Sequence, residues 1–155
     1  MSALLDDGDE ILIPSPDYPL WTACATLAGG KAVHYICDEQ SEWYPDIDDM
    51  RKKITDRTKA IVIINPNNPT GTYVPIGELE AFADTLPEDV LLVMDEAYME
   101  FATEPDCCSM VDYMKAHPEK PILVLRTFSK YYAMAGLRVG YALGSEAVSY
   151  THLTL

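Results

Sequence analysis

The chain has 155 residues, 48% hydrophobic and 23% charged, with 25 acidic against 11 basic side chains and a formal net charge of -14. This length suffices for one ordinary domain with a real core, and the balance excludes a disordered chain. Such an acidic surface disfavours nucleic-acid backbones and anionic membranes, but it does not forbid a small anion held by local donors. No apolar run reaches membrane-spanning length.

Glu10–Ile13 reads as a short buried strand ended by Pro14-Ser15-Pro16. A helix is predicted over Tyr18–Leu27, packed through Ala23, Ala25 and Leu27 and closed by Gly29-Gly30. Ala32–Ile36 alternates as a second strand. Asp46 is placed to cap a helix running to about Lys53, with Ile47, Met50 and Ile54 on one face. Ala60–Ile64 is the strongest strand, almost wholly apolar, as expected where both faces are covered. After the loop Asn65–Gly71, the residues Ile76, Leu79, Phe82, Ala83 and Leu86 mark a third amphipathic helix. Val90–Met94 is a further apolar strand closing on Asp95, a short helix is expected around Met110–Met114, and Pro121–Leu125 and Val139–Leu143 read as strands. Strands spaced by helices predict an α/β fold: a mainly parallel sheet in three layers, with helices on both faces.

The cysteines Cys24, Cys37, Cys107 and Cys108 form no CxxC pair and no zinc spacing with His34, His117 or His152. They read as reduced thiols of a cytoplasmic protein, with no metal site. Met1–Leu5, followed by Asp6-Asp7-Gly8-Asp9-Glu10, does not read as a secretory signal.

Ligands of parallel sheets gather beyond the carboxyl ends of the strands. Three polar clusters fall there: Asn65–Gly71, Asp95–Tyr98 and Thr127–Lys130. The first, Asn65-Pro66-Asn67-Asn68-Pro69-Thr70-Gly71, is stiffened by two prolines, which suits a side-chain amide held in a set position. Taken alone it also fits, as the lesser reading, a plain strand-to-helix connection. Asp95 ends an apolar strand, and a carboxylate at that depth needs a partner, either backbone N–H groups or the cation of a ligand. Tyr98 is placed to offer its phenol to the same ligand. Lys130 in isolation reads as a solvated lysine. With Thr127, Ser129 and, eight residues on, Arg138, it makes an anion-binding corner.

Taken together, Asn65–Gly71, Asp95-Glu96-Ala97-Tyr98 and Thr127-Phe128-Ser129-Lys130 with Ala135-Gly136-Leu137-Arg138-Val139-Gly140-Tyr141 resemble the NPxNPTG loop, the DEAY element and the lysine-to-arginine segment of class I/II aminotransferases. These are fold-type I enzymes dependent on pyridoxal 5'-phosphate (PLP). The resemblance runs from about Gly8 to Gly144. It implies that Lys130 holds the cofactor aldehyde as a Schiff base and that Asp95 pairs with the pyridine nitrogen. It further implies that Asn68 and Tyr98 contact the ring's phenolic oxygen. Thr127 and Arg138 would bind the phosphate, Ser129 more weakly, and Tyr18 would stack on the ring in competition with Trp21. The cofactor would act as an electron sink, with Lys130 moving a proton as base and acid.

The implied substrates are an amino acid and a 2-oxo acid such as 2-oxoglutarate, and the implied assembly is a homodimer. Asp7–Glu10, Pro14–Trp21 and Ser41–Pro45 resemble alanine (glutamate–pyruvate) aminotransferases, whereas Asp95–Phe101 and Leu125–Lys130 look more like histidinol-phosphate aminotransferases. A fold-type I lyase or decarboxylase and an inert fragment are the competing readings. Family members are longer, so residues 1–146 are expected to be a partial PLP-binding large domain. Residues 147–155 match nothing in the family pattern and are expected to be an atypical tail, with no role for His152.

Overall fold

The structure, a computed structural model, describes residue 2 and residues 4–148. Seven strands form one sheet: β1 (Glu10–Ser15), β2 (Lys31–Asp38), β3 (Tyr44–Pro45), β4 (Thr58–Ile64), β5 (Leu91–Asp95), β6 (Ile122–Thr127) and β7 (Gly140–Gly144). Four helices connect them: α1 (Leu20–Leu27), α2 (Ile47–Lys53), α3 (Ile76–Asp84) and α4 (Val111–Ala116). The sheet order is β3-β2-β1-β4-β5-β6-β7. The five inner strands run parallel, while β3 pairs antiparallel to β2 and β7 antiparallel to β6. The expected α/β architecture is therefore present, with both edges reversed.

Alternation along the strands builds two cores. On one face Leu12, Ile61, Ile63, Leu92, Met94 and Val124 pack with buried residues of α2, α3 and α4. On the other, Ile11, Ile13, Val62, Leu91 and Val93 pack with Ala25 of α1 and with Val148. The near-continuous apolar runs of β4 and β5 follow from having both faces covered.

The helices form largely where the sequence places them. Asp46 caps α2 by accepting from the Asp49 N–H at 2.9 Å. Three acids lie at or near its start, and Arg51, Lys52 and Lys53 close its last turn, complementing the helix dipole. Helix α1 departs from expectation. It begins at Leu20 rather than Tyr18, because Pro19 disfavours helical geometry in the residue before it and itself serves as N-cap. Of the three residues expected to pack it, only Ala25 is buried; Ala23 is exposed and Leu27 is 87% exposed. The helix instead leans on Trp21 and Ala28.

Strand β1 also runs further than its prolines suggest. Pro14 and Ser15 stay in register with Tyr35 and Ile36 of β2, whereas the ladder to β4 stops at Leu12. A proline is tolerated where one side of the strand has no partner. Residues 149–155, most of the expected tail, lie outside the described residues; Val148 is buried in the second core.

Candidate functional site

The strand order reverses between β1 and β4, and the loops after β1, β4, β5 and β6 diverge around the carboxyl end of the sheet. A cavity of about 760 Å³ opens there. Every residue singled out from the sequence borders it: Tyr18, Asn68, Asp95, Tyr98, Thr127, Ser129, Lys130 and Arg138, together with Trp21. Its floor is apolar, built from Leu91, Val93, Leu123 and Leu125.

Asp95 is the last residue of β5 and faces the cavity on the same side as Leu91 and Val93. Its Oδ2 accepts from the Trp21 indole at 3.0 Å and its Oδ1 from the Ala97 N–H at 3.2 Å. Burial pushes its carboxyl above the ordinary aspartate value, opposed by these two donors and by the charge of Lys130. A cation arriving at this carboxylate would pull it back down.

The loop after β4 is braced from within. Asn65, wholly buried, donates through Nδ2 to the Val74 carbonyl at 3.2 Å and accepts from the Val74 N–H at 2.8 Å. Asn67 Oδ1 accepts from the Thr70 hydroxyl at 2.9 Å. The loop so fixed presents Asn68, whose Nδ2 donates to the Tyr98 hydroxyl at 3.1 Å.

The ammonium of Lys130 lies 5.1 Å from the Tyr98 ring centroid. The Tyr98 phenol is the chief cause holding its pKa above the ordinary lysine value, while the positive charge of Arg138 acts against it. Thr127 ends β6, and its Oγ1 accepts from the Ser129 N–H at 3.0 Å, setting the turn that leads to Lys130. Arg138 takes a left-handed φ of 52° where the chain leaves the turn Ala135–Leu137 and enters β7. Its guanidinium donates to the Ala135 carbonyl at 3.1 Å and is otherwise exposed.

This donor set suits a flat heteroaromatic cation that carries an aldehyde and a phosphate. It offers an acid at depth, an amine and a phenol above it, an amide donor beside the phenol, and hydroxyls with a guanidinium at the mouth. A cavity of this size falls within the roughly 300–1,000 Å³ usual for small-molecule sites.

Two features escaped the sequence reading. Trp21, weighed only as a stacking aromatic, hydrogen-bonds the Asp95 carboxylate instead, while Tyr18, 52% exposed, stands at the cavity edge. The signal was its place three residues after Tyr18, which puts it on the first turn of α1. The second is an ion network of Glu96, Arg126 and Glu100. Strand alternation from Asp95 and Thr127 was the only clue to it.

Comparison with known proteins agrees with this geometry. The family described as aminotransferase class I and II matches residues 1–152. A glutamate-pyruvate aminotransferase, AlaA, of Haemophilus influenzae is 44% identical over 144 residues, covering 92% of this chain and 35% of that protein. Histidinol-phosphate aminotransferase 2 of Carboxydothermus hydrogenoformans is 41% identical over 145 residues, covering 93% of the chain and 39% of that protein. Among solved structures, the aspartate aminotransferase of Thermus thermophilus superposes with a TM-score of 0.86 at 36% identity, covering 97% of this chain and 39% of that one. The mainly parallel sheet and the helices on both its faces are those of the fold-type I aminotransferase architecture. The chain belongs to the class I and II aminotransferase family, and it spans little more than a third of the length of these relatives.

Proposed function

We propose that the protein is a PLP-dependent aminotransferase, moving an amino group between an amino acid and a 2-oxo acid such as 2-oxoglutarate. The observation that carries this reading is the meeting, in one cavity, of the Lys130 amine, the Tyr98 phenol and the buried Asp95 carboxylate.

PLP supplies an electron sink when bound. In this reading Asp95 holds the ring nitrogen protonated by opposite charge, and the Trp21 N–H keeps that carboxylate oriented. Asn68 and Tyr98 donate to the ring's phenolic oxygen. Thr127, Arg138 and, more weakly, Ser129 bind the phosphate, with the fixed fork of Arg138 suited to two of its oxygens. Tyr18 covers the ring face at the cavity edge. Lys130 anchors the cofactor and then, as a free amine, carries the proton at the substrate α carbon.

For the substrate pair, the proposal favours glutamate and pyruvate. Relatives so named reach 46% identity over nearly the whole chain, against 41% for the histidinol-phosphate relative. We propose a cytoplasmic location, supported by the four free cysteines, and a homodimer, as the family resemblance implies.

The test is a substrate panel on the whole protein with 2-oxoglutarate as acceptor. Glutamate formed from alanine, and lost in Lys130→Ala, supports the reading. Turnover without glutamate would favour a lyase or decarboxylase, and glutamate formed only from histidinol phosphate would favour that alternative donor.

A further inference from the structure

Strands β5 and β6 each send alternate residues to opposite faces. Leu91, Val93, Asp95, Leu123, Leu125 and Thr127 turn to the cavity. Met94, Ile122 and Val124 turn to the other core. Glu96 and Arg126 come next in those rows, and Arg126 also borders the cavity. Behind the site they form an ion network. Glu96 is wholly buried, and its Oε2 receives Arg126 Nε at 2.9 Å and the second guanidinium nitrogen at 2.8 Å. The Ser109 hydroxyl donates to the same oxygen at 2.7 Å, and the Met110 N–H to Oε1 at 2.9 Å. The third arm of the Arg126 fork reaches Glu100 Oε1 at 2.9 Å.

One guanidinium thus joins three segments: the end of β5, the helical turn Met99–Phe101 and the end of β6. Tyr98 hangs between Glu96 and Glu100, and Thr127 follows Arg126 directly. From the far side β7 closes on the same point, since a Cβ at Gly140 would lie 2.8 Å from the Arg126 carbonyl oxygen. As a device for stability the network is poor. It sets two carboxylates against a single cation and leaves Glu100 Oε2 buried with no partner among the described residues. An apolar trio of similar volume would commonly be as stable. What an apolar trio lacks is the fixed geometry of the fork.

We propose that Arg126 is a positioning residue: clamped between Glu96 and Glu100, it fixes Tyr98 and Lys130 relative to each other and to Asp95. This rests on the reading of Lys130 as the cofactor-binding amine. Arg126 itself touches neither cofactor nor substrate in this account; it acts by holding two loops at one separation.

The experiment compares wild type, Arg126→Lys and the apolar triple variant Glu96→Met/Arg126→Leu/Glu100→Met. Far-UV circular dichroism and melting temperature report the fold. The first readout is competitive acylation of lysines followed by peptide mapping, taken as the ratio of Lys130 to the exposed Lys52 labelling. The second is the affinity for added PLP. Release of Lys130 from Tyr98 is expected to raise the acylation ratio at least about threefold, because more of its amine is then uncharged. PLP affinity is expected to fall about tenfold or more, as loss of one well-placed hydrogen bond to a charged group can do. Arg126→Lys keeps the charge and loses the fork, so it is expected to behave like the triple variant; it also carries the test if the triple variant does not fold. Folded variants with the wild-type acylation ratio would overturn the proposal. Failure of wild type itself to bind PLP would count against the proposed function, while the acylation ratio would still decide the role of Arg126.

Discussion

The indole N–H of Trp21 donates to Asp95 Oδ2 across 3.0 Å, tying the first turn of α1 to the end of β5. A carboxylate at the floor of an apolar cavity is costly unless donors surround it. Among the described residues, Trp21 and the Ala97 N–H are the two that Asp95 has. The residue expected to pair with a cationic ring is thereby kept available and oriented.

Trp21→Phe keeps an aromatic ring on α1 and removes the donor. Hydrogen bonds to charged groups contribute about 1.5–3 kcal/mol. Urea unfolding at neutral pH is therefore expected to show a loss of about 1–2 kcal/mol, at or below the low end of that range because the carboxylate is partly rehydrated. An unchanged midpoint would mean that the bond contributes nothing in solution.

Asp95→Asn gives a pH-dependent outcome. Burial raises the folded-state pKa of Asp95 above its unfolded value, so the folded chain binds this proton more tightly than the unfolded chain. Its contribution is therefore favourable at low pH and is lost as pH rises from the ordinary carboxylate value through the raised one. Without cofactor, the variant is expected to gain melting temperature relative to wild type as pH goes from about 4 to about 8, while PLP binding weakens. Paired thermal scans across that range check it; a difference that does not vary with pH contradicts it. Glu96, also raised by burial, is present in both chains and cancels in the comparison.

Asn65→Ala removes a buried side chain that both donates to and accepts from Val74. Two backbone groups lose their partners, each at about 1–2 kcal/mol, so a loss of about 3 kcal/mol is expected in denaturant unfolding. Because Asn65 braces the loop that presents Asn68, the Asn68–Tyr98 bond is expected to loosen as well. A loss below about 1 kcal/mol would show that water replaces the amide.

Much of this site was legible from residue order. Asn68, Asp95, Tyr98, Lys130 and Arg138 were singled out by motifs at strand ends, and a parallel sheet brings such ends together. The apolar runs of β4 and β5 announced buried strands, and Asp46 announced the start of α2. What stayed hidden depended on neighbours distant in the chain. The exposure of Leu27 is set by how α1 lies on the sheet, and the reversal of β7 by the turn at Arg138. The joining of Glu96 to Arg126 spans 30 residues, and no local pattern records it.

Capture of PLP by Lys130 should depend steeply on pH. The attacking amine must be uncharged, and the Tyr98 phenol holds it charged. Reductive labelling at Lys130 is expected to speed up about tenfold per pH unit from about pH 7 to about pH 9. A flat profile there would mean that the amine is already neutral, contrary to its contact with Tyr98.

The most direct measurement is incubation of the folded protein with PLP, reduction with borohydride and peptide mapping. A stable adduct on Lys130, absent from Lys130→Ala, is the expected result. A folded sample with no adduct, or with label spread over other lysines while Lys130 stays unmodified, would contradict the account.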